Sequence, residues 1–219
     1  ASSLAIAASI FSGVAISAAP AFAAGKLTGS SSQDPGSWDP IDTLLVAWAA
    51  VSTNIFDGLT YRGPDLKLVP GLAESWEELD QGKRIRFNLR HNAKFHDGEP
   101  FNAEAVKFTF DRLLGEQGAK GPQRSNYTAI ESVDIIDDYT VDMKLKTPDP
   151  VLLTKLAGYG AMIVPPKSIK EKGEDYFNLN PVGTGAFKFV SYTPKVNIKL
   201  EANPDYWGGA PKLSELEYR

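Results

Sequence analysis

A chain of 219 residues, 42% hydrophobic and 23% charged, has the composition of a folded globular protein and the length for one or two cores, which excludes a disordered chain. Its formal charge of -4 is spread along the sequence without long basic blocks, which disfavours nucleic acid and anionic membrane surfaces as partners. With no cysteine it has neither a disulfide nor a thiol to carry a lipid, so packing must supply its stability.

Ala1 to Gly25 carry no charge, and the apolar, small-residue run from Leu4 ends at Ala21-Phe22-Ala23. This reads as a secretory signal peptide, residues 1–23, cleaved after Ala23; a buried Ala-rich helix or a membrane anchor is the alternative. No Lys or Arg precedes the run, so the start reads as clipped. Gly25 to Pro40 is dense in turn formers and is expected to be mostly loop. Leu44, Leu45, Trp48, Val51 and Ile55 recur at helical spacing and predict a helix that Asp57-Gly58 stops.

Ile85, Phe87 and Leu89 alternate with Arg84, Arg86, Asn88 and Arg90, predicting a half-buried strand with a basic outer face. Asp97-Gly98 marks a tight turn, across which Arg90 and Asp97 could pair. Asn102 is placed to cap a helix that presents Ala103, Val106, Phe110 and Leu113 and ends near Gly115. Val133 to Leu145 reads as a β-hairpin around Asp137-Asp138. A second hairpin joins Phe187 and Phe189 to Val196, Ile198 and Leu200 across Thr193-Pro194. Leu213 to Arg219 alternates like a strand with nothing after it to pair with, so this end too reads as a truncation. Helices mixed with antiparallel pairs argue for an α/β or α+β class.

Catalytic chemistry has little to stand on. His91 and His96 lie in a strand-to-turn segment without a His-Glu-x-x-His pattern, so a metal site is not expected. His96-Asp97 with Ser75 lacks a Gly-x-Ser-x-Gly elbow, and Gly183-Thr-Gly lacks the lysine of a phosphate loop.

Three blocks carry a family likeness: Leu68 to Leu114, with Leu-Ala-Glu-Ser-Trp and Phe-x-Leu-Arg…Lys-Phe-His-Asp-Gly; Pro181-Val-Gly-Thr-Gly-Ala-Phe-Lys-Phe; and Asn203-Pro-Asp-Tyr-Trp-Gly-Gly-Ala-Pro-Lys-Leu. In order and spacing they resemble the family-5 extracellular solute-binding proteins, the peptide, nickel, opine and glutathione binders of ABC importers. The family's apolar first strand is reduced here to Leu27, so a shortened first strand is expected. Trp76, Phe87, Phe95 and Trp207 read as structural aromatics.

The resemblance implies a periplasmic binding protein-like II fold of two lobes with an extra inserted domain. Residues 24–59 and 181–219 would form part of lobe I and 60–180 the inserted domain, the second lobe being missing from this chain. It implies a periplasmic, monomeric protein that is not an enzyme, needs no cofactor and hands a small solute to an inner-membrane ABC permease. Peptides are the default solute; nickel complexes, opines and sugars stay open. Solute contacts are expected from Ser31, Ser32, Gln33 and Trp38 in the first loop and from Tyr127, although each could be an ordinary surface residue. The rival readings are a secreted hydrolase using Glu74, Asp97 or Glu99 and a solute receptor for chemotaxis or adhesion.

Overall fold

In the computed structural model residues 25–31 and 33–219 are described, so the expected signal segment and Ser32 lie outside the described residues. The elements in chain order are β1 (Lys26–Gly29), α1 (Val46–Ser52), β2 (Thr60–Arg62), β3 (Leu68–Pro70), β4 (Ala73–Leu79), β5 (Arg84–Leu89), α2 (Ala103–Leu114), β6 (Ile130–Asp137) and β7 (Thr140–Leu145). There follow α3 (Leu152–Leu156), α4 (Pro166–Lys172), α5 (Glu174–Leu179), β8 (Phe187–Thr193), β9 (Asn197–Ala202) and β10 (Glu215–Tyr218). The strands form a sheet ordered β1-β10-β9-β8, a sheet ordered β4-β5-β7-β6 and a short β2-β3 hairpin.

The second sheet follows the sequence pattern closely. Ile85, Phe87 and Leu89 are buried on one face of β5, while Arg84 and Arg86 on the other reach across to β7 and grip Asp142 at 2.7–2.8 Å. The basic face is therefore neutralised rather than bare. Asn102 caps α2 through its side-chain oxygen, which accepts the Ala105 N–H at 3.2 Å, and the helix ends at Gly115. Arg90 does not pair with Asp97. Its guanidinium lies 4.2 Å over the Trp207 ring and 3.6 Å from Glu74, while Asp97 accepts the Glu99 N–H.

The first sheet contains the strand expected near Arg219, paired with elements that precede it in the chain. The run ending at Arg219 has partners on both sides, with Leu216 opposite Leu27 in parallel β1 and opposite Leu200 in antiparallel β9. Its parallel partner comes from the other end of the described chain, which no local pattern can announce. β1 is short, four residues, with Leu27 exposed. Val196 lies outside β9 at the turn and is exposed, beside Lys195 at φ 60°.

The predicted helix before Asp57 is also shorter than its apolar spacing. Thr43 Oγ1 accepts the Leu45 N–H at 3.0 Å and holds residues 43–45 extended, so Leu44 and Leu45 are exposed and only Trp48 and Val51 of the stripe turn inward within α1. After Ser52 the chain turns so that the Asn54 and Ile55 carbonyls accept the Phe187 and Gly185 N–H groups at 2.8 Å.

Two apolar clusters result. One joins the β4-β5-β7-β6 sheet, α2 and α3; the other joins Trp38, Trp48, Val51, Ile55 and Phe56 to Met162, Val164, Ile169, Phe177 and the β8-β9-β10 strands. Residues 162–177, expected with the inserted segment, thus pack against the β8-β9-β10 side. A buried Arg112 on α2 ties the two by donating to Asp39 and to Glu174.

Candidate functional site

The parallel neighbours β1 and β10 end side by side, and beyond their carboxyl ends the chain opens into a hollow of about 220 Å3. Crevices outside the carboxyl ends of adjacent strands are habitual ligand positions in α/β folds. The Ser31 N–H donates to the Arg219 carbonyl at 2.8 Å, which fixes the loop to β10, and its hydroxyl donates to the Gln33 carbonyl at 2.8 Å. The Gln33 side chain is exposed on this rim. Asp34 closes the far side by accepting the Lys195 N–H at 3.0 and 3.1 Å.

Beneath the rim lies Glu217, 2% exposed and held by Lys26 at 2.6 Å, Arg219 at 3.1 Å and Asn197 at 2.8 Å. The Lys26 ammonium, then the Arg219 guanidinium and the Asn197 amide, keep its carboxyl down at about 2. It stays ionised and anchors the Arg219 side chain, which remains 66% exposed and free to meet an anionic or carbonyl group. The rim therefore offers amide and guanidinium donors on a fixed backbone.

The other expected contact residues sit elsewhere. Trp38 is 3% exposed, its indole edge-on to Phe189 and Tyr192 at 5.2 and 5.8 Å, and its backbone N–H donates to Asn178 Oδ1 at 2.5 Å. Tyr127 is 2% exposed and donates to the Lys155 carbonyl at 3.0 Å; burial pushes its hydroxyl up. Both are core aromatics under hollows whose exposed walls are made by neighbours. Above Tyr127 a hollow of about 280 Å3 is walled by Leu44, Asn126, Thr154 and Tyr159. The Tyr159 hydroxyl donates to the Leu44 carbonyl at 2.6 Å, and buried Gln123 donates to the Thr43 carbonyl at 2.6 Å and accepts from Asn126 at 3.0 Å. Sequence reasoning missed this wall, though its signal was present: exposed Leu44-Leu45-Val46 is an apolar triplet where an amphipathic helix would show one inward residue.

One buried carboxylate joins two of the three blocks quoted for the family likeness. Asp57 accepts the Tyr61 hydroxyl, the Thr184 hydroxyl at 2.8 Å and the Trp207 indole N–H at 2.7 Å. Burial raises its carboxyl, and these donors pull it back. Of the residues named for hydrolysis, Ser75 accepts from Asn88 on an exposed strand, Glu74 lies 3.6 Å from Arg90, and Glu99 lines a hollow with Asp97 while accepting the Lys167 N–H at the start of α4.

The family model for bacterial extracellular solute-binding proteins, family 5 Middle, matches residues 67–219. A candidate ABC transporter peptide-binding protein of Brucella ovis is 35% identical over 98% of this chain and 42% of its own length. The glutathione-binding protein GsiB of Pectobacterium atrosepticum is 32% identical over 84% of this chain and 35% of its own length. Among solved structures, MoaA of A. tumefaciens R10 with mannopinic acid superposes with a TM-score of 0.83 at 31% identity, covering 90% of this chain and 41% of that one. The oligopeptide-binding protein AppA of Bacillus subtilis with a nonapeptide gives 0.81 at 32% identity, covering 90% and 40%. The chain thus spans about two fifths of the length of these relatives. From the matched blocks and the shared fold, the chain belongs to family 5 of the bacterial extracellular solute-binding proteins, a family that binds solutes rather than transforming them.

Proposed function

We propose that this chain is the solute-capturing part of a bacterial ABC importer, acting outside the cytoplasm as a monomer after export and performing no chemistry on its solute. In this reading residues 24–59 and 181–219, joined by the 162–177 stretch that packs with them, form one lobe, and the remainder of 60–180 forms an inserted domain. A protein of the relatives' length supplies a second lobe, and the solute lies between the two. Contacts to both lobes favour the closed form that the permease recognises.

The observation that carries this reading is the rim at the ends of β1 and β10, where Ser31, Gln33 and Arg219 surround a hollow open to solvent. Ser31, Ser32 and Gln33 would meet the solute backbone, while Trp38 and Tyr127 act from beneath by holding the walls in place. A di- or oligopeptide is the solute class favoured by the peptide-binding relative and by AppA.

A thermal-shift screen with dipeptides, longer peptides and glutathione tests it on this chain and on a chain of the relatives' length. A peptide at 100 times its Kd should add about 2.7 kcal/mol to the longer protein. This chain alone should gain far less, because one wall cannot distinguish open from closed. Equal, saturable binding by both chains would defeat the two-lobe reading, and no response to any peptide by the longer chain would defeat the peptide assignment.

A further inference from the structure

His96 carries a half-buried imidazole whose ring spends both nitrogens on a single loop. It sits on the Phe95–Gly98 turn, and its own N–H donates to the Gly183 carbonyl at 2.9 Å. The Gly183 N–H in turn points at Nδ1, 3.4 Å away, and Nε2 lies 3.0 Å from the Gly185 carbonyl. A carbonyl can only accept, so the proton resides on Nε2, and Nδ1 is left as the acceptor for Gly183. A second proton has no place in this arrangement, since it would set an N–H on Nδ1 against the N–H of Gly183.

We propose that His96 is an acid-sensitive contact: a proton taken up at Nδ1 expels the Gly183 N–H and loosens the Gly183–Gly185 loop at that point, while the His96 backbone N–H and Nε2–H keep the Gly183 and Gly185 carbonyls and both cores remain folded.

The remaining ties of that loop explain why release stays local. Thr184 is held by Asp57 at 2.8 Å, Gly185 N–H by the Ile55 carbonyl at 2.8 Å, and the Gly185 carbonyl also accepts from Asn203 at 3.0 Å. None of these contacts uses the imidazole. The charges around the ring are few. Asp97 on the same turn draws the proton in and Lys188 on β8 opposes it. Glu99 is committed to the Lys167 N–H of α4, and Asp57, behind the loop, reaches it through Thr184. Burial outweighs them all and lowers the imidazole from 6.5 to about 4. A group whose folded pKa is depressed in this way binds its proton more readily once released, so protonation and opening are linked.

The test is a titration of the full chain, 15N-labelled, from pH 7 to pH 3.5. The expected result is an Nε2–H tautomer at pH 7, a ring midpoint near the value just given, and a Gly183 amide shift with the same midpoint, while the buried β9 residue Leu200 keeps its hydrogen-exchange protection. His96→Gln, whose amide can accept and donate but does not titrate, should abolish the Gly183 transition. A ring that titrates near 6.5, or a Gly183 amide that changes only together with Leu200, overturns the proposal. If His96→Gln does not fold, the wild-type midpoints decide alone.

Discussion

Ser52 and Trp48 occupy successive turns of one face of α1, both fully or nearly fully buried, and neither the Ser52 hydroxyl nor the Trp48 indole N–H has a hydrogen-bond partner among the described residues. An unpaired buried hydroxyl costs free energy that a methyl group would not. Ser52→Ala is therefore expected to leave stability unchanged or raise it by up to about 1 kcal/mol, read from urea unfolding midpoints. Asp57 presents the opposite case. Its carboxylate is the shared acceptor for Tyr61, Thr184 and Trp207, so Asp57→Ala strands three donors at once. At roughly 1–3 kcal/mol for each buried group left unpaired, the loss should reach about 3 kcal/mol or more. A loss below about 1 kcal/mol would show that the donors find other partners and that Asp57 is no hub.

At the scale of elements, what the sequence disclosed was what one-face burial imprints locally. β5 was legible because Ile85, Phe87 and Leu89 share a buried face, and α2 because Asn102 and Gly115 bracket its apolar stripe. Loss of the cap in Asn102→Ala should cost about 1 kcal/mol. The extent of α1 was not legible, since Leu44 and Leu45 keep helical spacing but are held out by Thr43, and Ile55 belongs to the turn that receives Gly185. The two glycines there are needed for close approach rather than for left-handed backbone. A methyl group on either Gly183 or Gly185 would collide with the Ile55 carbonyl, and backbone cannot yield as a flexible side chain can. Gly185→Ala is expected to destabilise by about 3 kcal/mol, at the upper end of overpacking, in the same unfolding assay. Of the residues expected in the first loop and at Tyr127, some line the hollow beside β1 and β10 and others are buried. Ser31 and Gln33 line that hollow because turn-rich loops present polar groups at the surface, whereas the burial of Trp38 depends on Phe189 and Tyr192, about 150 residues away, and no local pattern reports it.

For the whole molecule, the distribution of perturbed carboxylates and the half-buried imidazole of His96 sets the response to acid. The hydrogen bonds from Arg86 and Arg84 lower the Asp142 carboxyl, the Lys144 ammonium lowers Asp134, and Lys155 lowers Asp149. A carboxylate depressed in the folded state contributes stability that is complete above its unfolded value and lost as pH falls through the folded one, so these groups act below about pH 4. His96 acts earlier, because its depressed imidazole withdraws stability between 6.5 and about 4. Asp57 has the reverse sign: raised by burial, it favours the fold in acid and loses that contribution as pH rises. Asp42 and Glu99 share that sign, also raised chiefly by burial, but these three groups are outnumbered by His96 and five depressed carboxylates, Asp137 and Glu217 included. Unfolding free energy measured at pH 7, 5, 4 and 3 is therefore expected to fall in two stages, shallow to pH 4 and steeper beyond it. In Asp142→Asn the protein should start less stable at pH 7, because Arg84 and Arg86 lose their shared anion, and then fall less steeply below pH 4 than the wild type. Parallel curves for the two proteins below pH 4 would mean that Asp142 does not carry the acid limb, and that the arginine face of β5 is as weakly coupled to stability as an exposed ion pair.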